Sequence, residues 1–129
     1  MTVARQQLGR SAERLAASRL AAAGFSILGR NVRIRMAEVV GEIDLIALDG
    51  DALVFVEVKA GRTSSSAGPE RPALAVGPRK RRRLRRLATA WLAQAERPPR
   101  FGVLRFDVVG VRVDACGRLA AFEHLRGAF

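Results

Sequence analysis

A chain of 129 residues, 49% of them hydrophobic, is long enough to fold as a single domain (1–129) without a disulfide or metal staple, and too apolar to be wholly disordered. Cys116 is the only cysteine, which excludes an intrachain disulfide framework and predicts a reducing, cytoplasmic setting. No apolar run approaches the ~20 residues of a membrane span, and 23 Lys+Arg against 12 Asp+Glu leave a net +11, which predicts a polyanionic partner, nucleic acid rather than a membrane.

Residues 5–23 carry Leu8, Ala12, Leu15, Ala16, Leu20 and Ala23 at spacings of three and four, the pattern of a helix with one buried face. Gly24 supplies a left-handed stop. Phe25–Arg35 interleaves basic with β-branched and aromatic residues and predicts a strand, and Met36–Gly41 is expected to be a loop. Two strands follow, Glu42–Leu48 and Leu53–Ala60, joined across Asp49-Gly50-Asp51-Ala52 as a hairpin. Gly61–Pro78, rich in Ser, Gly and Pro, is expected to be a mobile loop (61–78) within the domain. Pro78 then opens a second helix over Arg79–Ala95, whose apolar stripe is Leu84, Leu87, Ala88, Trp91 and Ala95. Phe101–Val113 and Leu119–Leu125 predict a last hairpin. His124, Trp91 and Cys116 are expected to be structural or inert.

The chemistry concentrates on the first hairpin. Strict alternation puts Glu42, Asp44, Ile46 and Leu48 on one face of its first strand, with Ile43, Leu45 and Ala47 opposite. On its second strand Leu53, Phe55, Glu57 and Lys59 share a face. An even-length turn pairing Leu48 with Leu53 sets Asp44 across from Glu57, and Glu42 across from Lys59. Two outcomes stay open at this point: cross-strand salt bridges at a strand edge, or a metal site that relieves the repulsion of two facing carboxylates.

Asp44, twelve residues, then Glu57-Val58-Lys59 resembles the PD-(D/E)xK nuclease signature. Its context, GRSAERLAASRLAAAGFSILGRN before and AVGPRKRRRLRRLATAWLA and RFDVVGV after, resembles the YraN-like family of small bacterial proteins, distantly related to archaeal Holliday-junction resolvases. The resemblance implies a restriction-endonuclease-like α/β fold, a central mixed five-stranded sheet flanked by helices in the order α-β-β-β-α-β-β. It implies a metal-dependent endonuclease that hydrolyses phosphodiester bonds in DNA, branched or structured DNA included, with Mg²⁺ or Mn²⁺ as cofactor. Asp44 and Glu57 match the family's metal-binding carboxylates, with the Val58 carbonyl as a further ligand, Lys59 its catalytic lysine, and Glu13 a helix-borne glutamate that reaches the site. Glu42 is a helper candidate or the ion-pair partner of Lys59. The alternative is a nuclease-like protein that binds nucleic acid without cutting it, and a homodimeric active form is also left open.

Seven of the eight residues in RKRRRLRR (79–86) are basic. With Leu84 turned inward, Arg79, Lys80, Arg82, Arg83 and Arg86 face solvent and are the expected phosphate contacts, on DNA ahead of RNA.

Overall fold

The computed structural model describes residues 3–62 and 76–129, with side chains from Gln7 onward. Its elements are α1 (Val3–Ala22), β1 (Ser26–Met36), β2 (Val39–Asp49), β3 (Ala52–Arg62), α2 (Pro78–Gln94), β4 (Val103–Val113) and β5 (Leu119–Leu125). The five strands form one mixed sheet in chain order. All neighbours are antiparallel except β3 and β4, whose parallel pairing requires the crossover that α2 supplies. The expected α/β layout is the one observed. Among the described residues no helix is long and apolar enough to cross a membrane.

Each helix covers one face of the sheet. Ala12, Ala16, Ala17 and Leu20 of α1 are buried with Leu45, Ala47, Val54, Val56, Val109 and Val111. Leu84, Leu87, Ala88 and Ala90 of α2 are buried with Ile43, Ile46, Leu53, Phe55 and Phe106. The adjacent pairs Leu53/Val54 and Phe55/Val56 divide between the two clusters, so the sheet is apolar on both sides of its centre. Helix α1 ends where Gly24 adopts φ +98° and the Phe25 amide reaches back to the Leu20 carbonyl at 3.0 Å.

The β2–β3 hairpin has the expected register, Leu48 opposite Leu53 and Asp49 opposite Ala52, around a two-residue turn in which Gly50 takes φ +60°. The expected loop at 36–41 is instead a two-residue turn, Ala37-Glu38, and Val39–Gly41 already belong to β2. Pairing of Arg35 with Val40 and of Ile34 with Gly41 draws these residues into the ladder. The turn itself carries none of the usual punctuating residues, and Ala37 accepts φ +51°. Of the expected loop 61–78, Gly61 and Arg62 continue β3 and Pro78 begins α2; residues 63–75 lie outside the described residues.

A charged cluster closes the sheet at the turn end of this hairpin. Asp107 on β4, with no exposed surface, accepts hydrogen bonds from Arg105 Nε (2.8 Å) and Nη2 (3.0 Å) and from the Gly127 amide (3.0 Å), and lies 2.7 Å from His124 Nε2 on β5. Arg105 also reaches Asp49 at 2.9 Å. Burial opposes the charge on Asp107, but His124, Arg105 and Gly127 outweigh it and hold its pKa down at about 2. That value lies below the ordinary 3.8, so this stabilisation is complete above pH 3.8 and is lost as pH falls toward about 2. Asp107→Ala should therefore cost ~3 kcal/mol in urea unfolding at pH 7, by stranding Arg105 and the Gly127 amide. A loss below ~1 kcal/mol would show that β5 and the following residues hold to the sheet without it.

Candidate functional site

Asp44 stands at a fork. The backbone ladder between β2 and β3 runs from the turn to Leu45–Val56 and stops there. At the next rung the Val58 amide donates to Asp44 Oδ2 at 2.8 Å. Strict alternation also breaks at this residue: Ile43 packs with Ile46 on the α2 side, while Leu45 packs on the α1 side. On β1 the facing position, between the pairs Arg30–Leu45 and Val32–Ile43, is Asn31 at φ +49°. The expected grouping of Ile43 with Leu45 and Ala47 is corrected by this switch. The chain's only asparagine occupies the one β1 position with a left-handed backbone, which asparagine tolerates better than most residues.

The fork gathers acids from three elements. Glu13 of α1, half-buried, brings a carboxylate oxygen within 4.8 Å of oxygens on Glu42 and Asp44, and these two lie within the same distance of each other. With its amide nitrogen turned toward these acids, Asn31 donates to Glu13 and, at 3.0 Å, to Glu42 Oε1. Glu42 thus joins Glu13 and Asn31; the expected pairing across to Lys59 does not form. Glu57, 8% exposed, borders the same cleft and faces both lysines of the chain: Lys80 Nζ lies 2.7 Å and Lys59 Nζ 3.7 Å from Glu57 Oε1. Val58, expected to offer its carbonyl, meets Asp44 through its amide.

Burial first, and the crowding of charges second, set the electrostatics. Burial, then Glu57 and Glu13, push the Asp44 pKa up to about 8 against the pull of the Val58 amide. Burial and Glu42 raise Glu13, opposed by hydrogen bonds with Asp44 and Asn31. Burial, then Lys80, lower Lys59. Burial works against the charge of Lys80 too, but its hydrogen bond to Glu57 prevails and its pKa rises. The site opens on a cleft of about 660 Å³ whose walls include Glu42, Asp44 and Glu57 on one side and Pro78, Lys80 and Arg83 on the other.

The basic helix divides its charges. Arg79, Arg82, Arg83 and Arg86 are exposed and line a second hollow beside Val39 and Val40, with Arg83 donating to the Val40 carbonyl at 3.2 Å. Arg81 and Arg85 lie over the Phe129 ring at 5.5 and 5.6 Å. Lys80, expected among the solvent-facing phosphate contacts, is partly exposed but turned into the acidic site. Its membership of the site was the residue-level signal missed: in a chain that spells 21 of 23 basic positions with arginine, a lysine inside the arginine run stands out. Asn31 carried a weaker signal, as a lone asparagine inside a predicted strand.

Fold and site define a class: a small mixed-sheet α/β protein whose carboxylates and lysines meet at a fork between two central strands. The sequence profile of the uncharacterised protein family UPF0102 matches residues 12–111. The chain is 52% identical over 124 residues to a UPF0102 protein of Streptomyces griseus, covering 96% of this chain and 97% of the relative. It is 46% identical over 125 residues to one of Parafrankia, at 96% and 97% coverage. Against one of Moorella thermoacetica it is 43% identical over 129 residues, all of both chains. The chain belongs to the UPF0102 family, the YraN family.

The sign of the Asp44 effect is testable. Its pKa in the folded chain, about 8, exceeds the ordinary 3.8, so between these values the folded state keeps a proton that the unfolded chain has released. Stability must fall as pH rises through that window, and the deficit persists above it. In chelator, Asp44→Asn should raise the melting temperature by ~3–6 °C at pH 9, and the gain should shrink toward pH 4. A gain that does not vary with pH would mean that Asp44 ionises normally.

Proposed function

We propose that this protein is a metal-dependent endonuclease acting on DNA, branched or otherwise structured DNA included. One observation carries the proposal: Glu42, Asp44 and Glu57 border, with Lys80, a cleft walled by the arginine-rich helix, while Glu13 joins Glu42 and Asp44 and Lys59 lies beside Glu57. The donor set fits Mg²⁺ or Mn²⁺, because every side-chain ligand it offers is a hard carboxylate oxygen. Burial and then repulsion from Glu57 and Glu13 drive Asp44 up to about 8, and the repulsive part is of the kind a divalent cation removes. Asp44 and Glu57 would hold the ion, with Glu13 and Glu42 completing the carboxylate set. When bound, such an ion supplies Lewis acidity toward a phosphoryl oxygen and a water of lowered proton affinity.

The remaining steps belong to the chain's own groups. The Lys59 ammonium, beside Glu57, would orient the attacking water and offset charge that builds on the phosphate. Asn31, with its amide nitrogen turned toward these acids, would link Glu13 and Glu42 by donating to both. Arg79, Arg82, Arg83 and Arg86 would take flanking phosphates, which positions a backbone without reading its bases.

The test is incubation with branched, flapped, single- and double-stranded DNA, in Mg²⁺ or Mn²⁺ and in chelator. Wild type should cut at least one substrate only with metal, and Asp44→Asn, Glu57→Gln and Lys59→Ala should each lose on the order of 100-fold or more in rate. DNA affinity of the two carboxamide variants should hold or rise. A wild type that binds these DNAs and cuts none of them would leave the non-catalytic binding protein, and full activity in Asp44→Asn would place the chemistry elsewhere.

Binding itself has a separate signature. Replacing Arg79, Arg82 and Arg86 by alanine should flatten the dependence of log affinity on log salt by ~3 units and weaken all DNAs alike. An unchanged slope in the folded variant would make this face a solvated surface only.

A further inference from the structure

The chain contains two lysines against 21 arginines, and the fold brings both to one carboxylate oxygen, Glu57 Oε1. Lys59 arrives from the same strand, two residues on. Lys80 arrives from the first turn of α2, across the cleft, and comes closer: 2.7 Å against 3.7 Å. Of the two, Lys80 also lines the cleft, with 44% of its side chain exposed, while the Glu57 side chain is only 10% exposed. Glu57 therefore meets an ammonium ion on the carboxylate that a divalent cation would share. An arginine could not substitute simply, because its planar fork spreads charge over several donors, whereas a lysine delivers a compact, mobile charge to one atom.

We propose that Lys80 is a positioning residue of this site: it holds Glu57 while no divalent cation is bound, and yields Glu57 when one enters. The inference rests on the metal-site reading of the same cleft. Its content is a competition between two cations for one carboxylate. The displaced ammonium stays on the cleft wall, opposite the carboxylates, where the phosphate of a bound strand would lie. Helix α2 can place it there because it passes close over β2 at Gly41, where a Cβ would come within 3.1 Å of Arg83 Nη2 and of the Leu87 methyls.

Competition has a signature that structural damage does not imitate. Removing a competitor tightens metal binding, whereas loosening a site weakens it. Mn²⁺ affinity of the full chain, measured by calorimetry or by the electron paramagnetic resonance of free Mn²⁺, should rise about fivefold in Lys80→Met and in Lys80→Gln. Arg85→Met removes the same charge from the same helix, at a residue that lies over the Phe129 ring and does not line the cleft, and should change affinity by less than about twofold. Equal or weaker binding in both folded Lys80 variants would overturn the proposal, as would a gain in Arg85→Met equal to theirs, which would reduce the effect to net charge. A wild type that binds no Mn²⁺ would overturn it too. Failure of the nuclease reading shows separately, as a wild type that binds Mn²⁺ and cuts no DNA; the order of Mn²⁺ affinities then still decides the role of Lys80.

Discussion

A single hydrogen bond, from the Val58 amide to the Asp44 carboxylate, marks the point where β2 and β3 part. Up to Leu45–Val56 the hairpin is an ordinary apolar ladder in the middle of the sheet. A buried amide left without a partner at the next rung would be costly, and the Asp44 side chain satisfies it in place of a β2 carbonyl. The opening so created is lined with side chains instead of backbone, and groups from both faces of the sheet can enter. Glu13 comes from the helix on one face and Lys80 from the helix on the other. A continuous ladder would keep those two helices apart by the thickness of the sheet.

Much of this architecture was legible because it follows from local rules. Spacing of apolar residues located both helices, and the Asp-Gly turn fixed the hairpin register that sets Asp44 and Glu57 near each other. The fork was not legible, because alternation assumes a regular strand and carries no information about where pairing ends. Glu42 was placed opposite Lys59 on that assumption, and in the fold it turns to Glu13 and Asn31 instead. The early start of β2 was hidden for a related reason: Val39 and Val40 are good strand residues, but their turn uses Ala37 in a conformation normally announced by glycine or asparagine.

Lys80 illustrates a different limit. Helical periodicity places it correctly on the exposed side of α2, and exposure suggests solvent or phosphate. Its partner is decided by how closely the helix passes over β2, close enough that a Cβ at Gly41 would press on the ends of the Arg83 and Leu87 side chains. That is a tertiary distance, and no period within the helix encodes it. The same helix sends Arg81 and Arg85 to the Phe129 ring and Arg83 to the Val40 carbonyl, so a uniform run of basic letters becomes several distinct environments.

In the proposed nuclease, the resulting charge pattern would reconcile two demands that conflict in any polyanion-binding protein. Net charge of +11 draws a phosphate backbone toward the surface, yet the carboxylates at the fork repel it locally. Screening separates the scales, since exposed charges act over roughly 8–10 Å at physiological salt while buried ones are screened far less. Approach is therefore governed by the arginine-rich outer face of α2, and the final few ångströms by the balance at the fork. In the metal-free site, partial protonation of Asp44 and the ammonium on Glu57 both reduce that local repulsion. A divalent cation would reduce it further and add affinity for phosphate oxygen, so a strand held by the arginines would meet a site that favours it only once the cation is in place. Coupling of this kind needs no moving domain; it needs acids set into the fork, with Glu57 buried and Glu13 and Asp44 partly buried, and arginines exposed on the outer face of α2.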